Sequence, residues 1–245
     1  MHLKLISCEV IFREMCDAVA RSPHQVDPHF LPKGLHDLGA ASMRKALEEA
    51  VAEADPRIYD AVLLGYGLCG NGLDGLRAIA LPLVLPRAHD CIALLFGSRH
   101  RYGEYFRQNP GVFFRSTGWL ERGQNLAQLA QLHTGIGATL EELIAKYGED
   151  NGRYLYAELY RYEKAYRQLT YIETGLEPEA SFEFRAREEA AEKGWKFEKV
   201  RGDRNLFQRL VRGDWDAADF LVVEPGFEIA ASYDDGVITA RRSSP

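Results

Sequence analysis

Residues 59–72 read Tyr-Asp-Ala-Val-Leu-Leu-Gly-Tyr-Gly-Leu-Cys-Gly-Asn-Gly, a short apolar run that passes directly into a glycine-rich segment. An apolar run without alternation is typical of a strand buried on both faces, as in parallel sheets. The glycines after Leu64 predict a strand-to-helix turn, because glycine reaches backbone conformations that other residues avoid. This stretch therefore predicts one βα unit of a parallel sheet.

Two further units of the same kind flank this stretch. Leu3–Ser7 is a predicted strand, and a predicted helix with one apolar face follows over Ile11–Ala20. Leu83–Leu85 is a third short apolar strand, and it runs into Pro86–Cys91. Three such units in succession predict a parallel sheet with right-handed crossovers. The other predictions for this part are loop over 22–34, helix over 41–54 and helix over 92–96.

The pattern changes after Tyr105, where a predicted strand over 111–116 leads into a helical stretch before strands and helices alternate again. We therefore predict an α/β protein with a parallel-sheet, Rossmann-like lobe over 1–120, a helical insert over 121–168 and a second, smaller α/β lobe over 169–245. The predicted helices of this later part are 121–132, 140–147, 152–169, 182–193 and 205–211, its strands are 170–173, 196–200 and 220–223, and residues 241–245 are predicted to fray.

Composition narrows the class of protein. The hydrophobic fraction of 46% and the charged fraction of 27% predict a packed globular core. A formal net charge of −6 gives no overall basic field, so binding to nucleic acid or to a membrane surface is not expected. The opening residues contain neither a signal peptide nor a membrane span, which predicts a cytoplasmic protein whose four cysteines stay reduced.

Four residues with metal-binding side chains follow the carboxyl ends of the three predicted strands: Cys8, Cys69, His89 and Cys91. Loops from neighbouring parallel strands converge at that edge of a sheet, so these side chains are expected to meet. Three thiols and one imidazole match a tetrahedral Cys₃His set. Soft sulfur ligands favour zinc, with iron or an iron–sulfur cluster as the alternative.

The alternative for any cysteine is that it packs as a small hydrophobic residue. Cys16 lies in the middle of a predicted helix among apolar residues, and we assign it to the core. For the other three cysteines, their placement at equivalent strand ends favours a shared metal over separate core positions.

Residues beside the proposed ligands are candidates for supporting roles. Tyr66, Gly67, Gly70 and Asn71 are the candidate cofactor-binding residues, since a glycine turn can aim backbone N–H groups at an anion. The alternative, which we prefer for the glycines, is that they permit positive φ and a close approach of the backbone to Cys69.

Glu9 and Arg87 are the candidate catalytic residues, because each adjoins a predicted ligand and can act as an acid or base or hold a carboxylate. Charged residues beside a helix start are more often solvated or capping. The basic residues over 98–102 are assigned to solvated surface, or else to an anion clamp over the site. Trp119 follows another predicted strand and is a candidate for the border of the cleft.

The sequence resembles the domain-of-unknown-function family 1638 over nearly its whole length. The segments that carry the resemblance are Ser7–Val10, Gly65–Gly72, Pro86–Ile92, Leu95–Ser98, Pro110–Phe114, Gly118–Trp119, Tyr171–Gly175, Gly213–Trp215 and Phe220–Gly226. Phe96 and Val112 depart slightly from the family pattern, and neither bears on the ligands. The resemblance implies one site for the Cys/His set and an association with anaerobes and corrinoid-dependent methyl-transfer systems.

Three functions are open at this point. The first is a zinc-dependent enzyme of thiol or methyl-transfer metabolism, acting on a small-molecule substrate. The second is a carrier or accessory protein that binds an iron–sulfur cluster, a metal or a corrinoid for a methyltransferase partner. The third is a closed structural zinc, which four protein ligands favour because catalytic zinc keeps one position open.

Overall fold

A computed structural model of the chain describes residues 1–122, 140–159, 165–232 and 234–243. These residues form an α/β fold, as predicted. The strands are β1 His2–Cys8, β2 Gln25–Leu31, β3 Ala61–Gly65, β4 Leu83–Pro86, β5 Val112–Ser116, β6 Gln168–Glu173, β7 Lys196–Arg201, β8 Phe220–Val223, β9 Phe227–Ala231 and β10 Ile238–Arg242. The α-helices are α1 Phe12–Ala20, α2 Ala40–Ala52, α3 Cys91–Leu95, α4 Arg99–Gln108, α5 Thr117–Glu121, α6 Leu140–Tyr147, α7 Glu149–Leu159, α8 Ser181–Glu192 and α9 Asn205–Arg212, and short 3₁₀ turns cover Glu9–Ile11 and Leu35–Leu38.

The first sheet has the strand order β2-β1-β3-β4-β8 and is parallel except for β8, which runs antiparallel to β4. Its inner strands are buried on both faces, which accounts for their uninterrupted apolar sequences. Leu5 and Leu63 belong to the core cluster that contains residues of α1, α3 and α9. Ile6 and Leu64 belong to the opposite cluster, which contains residues of α2 and of the β9–β10 hairpin. The sheet is therefore covered on both sides.

The second sheet has the order β5-β6-β7 and is parallel throughout. Tyr171 on β6 packs with Phe182 and Ala186 of α8 on one face. On the other face, Ile172 belongs to the same core as the first sheet. Phe114 on β5 meets Phe96 edge to face, with the ring centroids 5.8 Å apart. The two sheets therefore share buried side chains.

Strand β2 lies where the sequence predicts a loop. Pro28 is paired with Leu5 in the register of β1 and β2. Proline has no backbone N–H to donate, so it is tolerated in a sheet only at an edge, and β2 is the edge strand. Residues 22–34 therefore contain a strand despite their many strand-breaking residues, because an edge strand pairs with only one neighbour.

The helix predicted after the glycine-rich segment is absent, since residues 66–82 form turns and extended chain without a helix. Their backbone pairs with the loop after β4 instead. The N–H of Leu68 donates to the carbonyl of Ala88, and the N–H of Cys69 donates to the carbonyl of His89, both at 2.8 Å. The loop is thus fixed by its neighbour and not by a helix of its own.

The carboxyl-terminal segment forms β10, so the fraying predicted for Arg241 and Arg242 is wrong. Arg241 donates from Nε to Glu228 Oε1 on β9 at 2.6 Å, and Glu228 is only 7% exposed. Charged residues on a two-stranded edge hairpin gave no strand pattern in the sequence.

Some predictions fall on residues that are not described. The helix predicted over 121–132 lies almost wholly outside the described residues, and the one over 152–169 lies partly outside them. Strand pairing links the segments over 1–120 and 169–245, because β8 joins the first sheet and β5 joins the second. Within the described ranges, no helix is long and apolar enough to cross a membrane.

Helix α1 connects the two sheets through a buried carboxyl group. Glu14 is 3% exposed, and its Oε1 accepts a hydrogen bond of 2.7 Å from the Thr174 hydroxyl, which follows β6. Burial raises the pKa of Glu14, and the negative charge of Glu177 adds to the rise, while the Thr174 hydrogen bond opposes it. The charged form of this carboxyl is therefore disfavoured in the folded protein.

We expect Glu14→Gln to raise the free energy of unfolding at neutral pH and to leave it nearly unchanged near pH ~4. A carboxyl with a raised folded-state pKa stabilises the fold below its ordinary pKa, and this contribution is lost as the pH rises through the raised value. Glutamine keeps an acceptor for Thr174 but cannot ionise. Urea denaturation at the two pH values measures the difference, with the exposed Glu48→Gln as the control. A gain of equal size at both pH values would contradict the prediction.

Candidate functional site

A cavity of ≈ 240 Å³ lies at the carboxyl edge of the first sheet. Cys8 is the last residue of β1, Cys69 lies in the loop after β3, and Cys91 is the first residue of α3 after β4. All three line this cavity, and all three are free, half-buried thiols. The convergence of parallel strand ends thus brings the three predicted sulfur ligands to one space.

The rest of the cavity wall is mainly apolar. It comes from the 3₁₀ turn after β1, from the segment after β2, from α2 and α3, and from α5, which follows the second sheet's β5. The side chains that close it around the thiols are Val10, Leu35, Met43, Ile92 and Trp119, and its polar members are Lys33, Tyr66 and Asp90.

The loop that carries Cys69 has an unusual backbone. Cys69, Gly70 and Asn71 all have positive φ, at 46°, 62° and 66°. For a residue with a side chain this region costs roughly 1–2 kcal/mol, so the surrounding structure must hold it. The absence of a Cβ at Gly67 lets the loop lie against the start of α3, since a Cβ there would approach the backbone N of Asp90 to 2.6 Å. These contacts keep Cys69 beside Cys91.

Burial keeps the thiols protonated. Desolvation raises the pKa of Cys8 to about 11, with a further rise from the charge of Glu9, although Lys33 lowers it. Desolvation also raises the pKa of Cys69 to about 12, helped by Cys8 and Asp90. The pKa of Cys91 is raised well above its ordinary value, by desolvation and then by Cys69, Asp90 and Cys8. Desolvation is the main cause for all three thiols, and the neighbouring thiols add to the rise for Cys69 and Cys91.

Two hydrogen-bond donors face the sulfur atoms. The side chain of Trp119 donates a hydrogen bond to Cys91. Tyr66 is 3% exposed, and its hydroxyl has no hydrogen-bond partner among the described residues. Burial raises the pKa of Tyr66 well above its ordinary value, and the nearby Cys8, Cys69 and Glu9 raise it further. The phenol is therefore a buried donor without an acceptor, set among the thiols.

His89 is not brought into this cavity. Its side chain is exposed and lines a separate depression of ≈ 460 Å³ together with Arg99, His100 and Asp234. Its contribution to the cysteine loop is its backbone carbonyl, which accepts the Cys69 N–H. Among the described residues, no group of three or more His, Cys, Asp or Glu side chains could hold a metal ion as they stand.

The two candidate catalytic residues make local contacts. Arg87 donates from Nε to the carbonyls of Ala217 and Phe220 at 3.0 and 3.1 Å, and from Nη1 to the carbonyls of Gly236 and Ile238. It therefore ties β4 to the chain before β8 and to β10. Glu9 accepts the backbone N–H of Lys33 through Oε1 at 2.7 Å. Its carboxylate consequently fixes the segment that brings Lys33 to the cavity.

Of the remaining candidates, Tyr66 and Gly70 line the cavity, whereas Asn71 is exposed. Lys33 is a cavity residue that sequence reasoning missed. Its Nζ donates to the carbonyl of Trp119 at 3.0 Å and lies 5.2 Å from the centroid of that ring. The signal that would have found it is β2, since Lys33 follows the end of β2 as Cys69 follows the end of β3.

These features define the class of protein: an α/β protein with a thiol-lined cavity at the carboxyl edge of a parallel sheet. The chain belongs to the family described as protein of unknown function (DUF1638), whose profile matches residues 30–211. No curated protein and no solved structure matches the chain.

Proposed function

We propose that the protein binds a metal through Cys8, Cys69 and Cys91 and uses it in thiol or methyl-transfer chemistry on a small-molecule substrate. The observation that carries the proposal is that three thiols from three strand ends line one cavity with a buried phenol that lacks an acceptor. A buried donor without a partner costs about 1–3 kcal/mol, so an acceptor is expected when the site is loaded. A thiolate sulfur of a metal ligand would be that acceptor.

The donor set fits a thiophilic metal. Thiolates are soft ligands that favour zinc, copper(I) or iron–sulfur clusters over magnesium and calcium. Metal binding must displace the protons of Cys8 and Cys69, whose pKa values are raised to about 11 and about 12. The donors Trp119 and Tyr66 would then stabilise the anionic sulfurs, as outer partners commonly do in metal sites.

Zinc is the first candidate. With the His89 side chain exposed outside the cavity, three protein ligands remain, and catalytic zinc sites typically have three protein ligands and one open position. This arrangement favours an enzyme over a closed structural site. Held by Cys8, Cys69 and Cys91, a zinc ion would supply a lowered pKa for a thiol or water molecule at the open position, which would make that group a nucleophile. In that reaction Val10, Leu35 and Trp119 would exclude water from the substrate.

The second candidate is a carrier or accessory protein that binds an iron–sulfur cluster for a corrinoid or methyltransferase partner. One observation favours it: the three thiols line a space of ≈ 240 Å³, which is more than a single ion needs. A cluster is wider than one ion and takes its thiolates on separate irons.

We further propose that the first sheet and its helices form a Rossmann-like lobe, and that the second sheet belongs to a smaller α/β lobe beyond a helical insert. The strand order with β1 beside β3 and the parallel pairing support the first part. The parallel β5-β6-β7 sheet with α8 packed on it supports the second.

Metal analysis of anaerobically purified protein, together with a visible spectrum, tests the proposal. A colourless protein with about one zinc per chain supports the enzyme, and sulfur-to-iron charge-transfer bands with several irons per chain support the carrier. Protein that takes up neither metal after reconstitution under reducing conditions would overturn both.

We expect Tyr66→Phe to have effects of opposite sign on stability and on metal binding. Removal of a buried hydroxyl without an acceptor should stabilise the metal-free protein by about 1 kcal/mol. Loss of a donor to the ligands should weaken metal binding roughly tenfold. Urea denaturation and competitive chelator titration measure the two effects.

The matched control is Tyr59→Phe, because the Tyr59 hydroxyl donates to Asp27 Oδ2 at 2.9 Å, and Tyr59 is not among the residues that line the cavity. It should cost about 0.5–1.5 kcal/mol and leave metal affinity unchanged. Equal metal affinity in the Tyr66→Phe variant and the wild type would exclude Tyr66 from the site.

A further inference from the structure

A second cavity lies at the carboxyl edge of the second sheet and shares no lining residue with the cysteine cavity. Its volume is ≈ 440 Å³, and its lining includes Thr174 after β6, Gly202 after β7 and Asn205 at the start of α9. In parallel sheets the carboxyl edge is where ligands bind, because the loops converge there. None of the described residues that line it is a large apolar side chain, so it suits a hydrophilic ligand.

Three arginines line this cavity: Arg101, Arg201 and Arg204. Arg101 donates from Nη1 to the carbonyl of Phe96 at 3.1 Å and from Nη2 to the carbonyl of Arg201 at 2.5 Å. These neutral acceptors orient its guanidinium without cancelling its charge. Arg204 shares its charge with Asp17, whose Oδ2 lies 2.9 Å from Nη1.

Arg201 is exposed, and within the described ranges no carboxylate lies at ion-pair distance from its guanidinium. One lining residue, Asp203, is acidic, and its Oδ1 already accepts the backbone N–H of Asn205 at 2.8 Å. Positive charge therefore exceeds negative charge in this cavity, although the whole chain has a formal net charge of −6. A local excess of this kind attracts anions to one place on an acidic protein.

The loop that carries Arg201 and Arg204 is fixed in place. The N–H of Gly202 donates to the carbonyl of Glu173 at 2.8 Å, and the N–H of Asp203 donates to the carbonyl of Leu95 at 2.9 Å. A Cβ at Gly202 would approach that carbonyl of Leu95 to 2.9 Å, so glycine is needed for this packing. The backbone that carries these arginines is thus in place before any ligand arrives, so binding need only order the side chain of Arg201.

We propose that this cavity binds the phosphate group of a small phosphorylated molecule. Guanidinium groups present paired N–H donors that match phosphate oxygens, and several arginines around one space suit a dianion better than a single carboxylate. The arginines would contact the phosphate group in the same way whether it belongs to a larger molecule or is free inorganic phosphate.

Isothermal titration calorimetry of the purified protein with inorganic phosphate and with adenosine monophosphate, at low ionic strength, tests this proposal. We expect saturable binding that weakens roughly tenfold or more in Arg201→Ala, because a charge-assisted hydrogen bond is lost. Tighter binding of the nucleotide than of phosphate would show that the phosphate arrives on a larger body. Equal binding would show that the phosphate group alone is recognised.

The control is Arg187→Ala on α8, where Arg187 Nη2 lies 2.8 Å from Glu183 and does not line the cavity. It should bind both anions like the wild type. Because no described residue pairs with the Arg201 side chain, Arg201→Ala should keep its melting temperature, which is measured in parallel. No saturable binding of either anion, or an equal loss in both variants, would overturn the proposal.

Discussion

Replacement of Cys69 by serine is expected to lower the metal content from about one equivalent per chain to roughly a tenth or less. Cys69 follows β3, which lies between β1 and β4 in the first sheet, and its backbone is held at positive φ against the start of α3. A serine hydroxyl is a hard donor that does not ionise near neutral pH, so it cannot replace a thiolate. Inductively coupled plasma analysis after anaerobic reconstitution measures the loss.

Cys16→Ser is the matched control. Cys16 is a half-buried thiol on α1 and does not line the cavity. Its substitution should leave the metal content at the wild-type value. Melting temperatures of both variants without metal separate loss of a ligand from loss of the fold. If Cys69→Ser kept its full metal content, Cys69 would have to be removed from the ligand set.

Gly118→Ala is expected to lower the free energy of unfolding by about 1–3 kcal/mol. Gly118 lies in α5, directly against the backbone carbonyl of Val10, and a Cβ at this position would overlap that oxygen. Val10 closely follows Cys8, and Trp119 directly follows Gly118. Cys8, Val10 and Trp119 all line the cavity, so this contact lies beside the cavity wall. Separation of the two segments should therefore also weaken metal binding.

The opposite sign is expected for Gly103→Ala in α4. The nearest atom to a Cβ at Gly103 is Arg107 Nη1 at 3.6 Å, which is an ordinary contact. Alanine inside a helix is favoured over glycine by roughly 0.5–1 kcal/mol, so this variant should be more stable than the wild type. Urea denaturation of the two variants compares them. If both substitutions changed the free energy of unfolding by equally small amounts, α5 would have to shift at little cost to accommodate a side chain at Gly118, and the prediction would be wrong.

The sequence supports the prediction of strand ends better than that of side-chain direction. The apolar runs of β1, β3 and β4 place Cys8, Cys69 and Cys91 at one edge, because the carboxyl ends of parallel strands meet. His89 shares that position in the sequence, yet its side chain is exposed. The direction of the chain between β4 and α3 is set by Asp90, which has an extended backbone and caps α3 by accepting the Ala93 N–H. Hydrophobic periodicity in the sequence does not predict this direction.

Other features depend on tertiary contacts that a local pattern does not contain. Strand β2 tolerates Pro28 only because it has one neighbour, and Lys33 reaches the cavity only because β2 exists. The loop that carries Cys69 takes its shape from the carbonyls of Ala88 and His89, which come after β4 and are therefore distant in sequence from β3. Local composition could predict a turn after β3, but it could not predict that the turn leads into extended chain instead of a helix.

The antiparallel strand β8 has a consequence for how this chain is made. It is the last strand of the first sheet, and its partner β4 is synthesised more than one hundred residues before it. Leu83 and Val84 therefore keep an open edge on the emerging polypeptide until Val222 and Val223 have left the ribosome. Unpaired strand edges invite pairing with other chains, so slow translation of the middle of the message should increase aggregation of nascent protein.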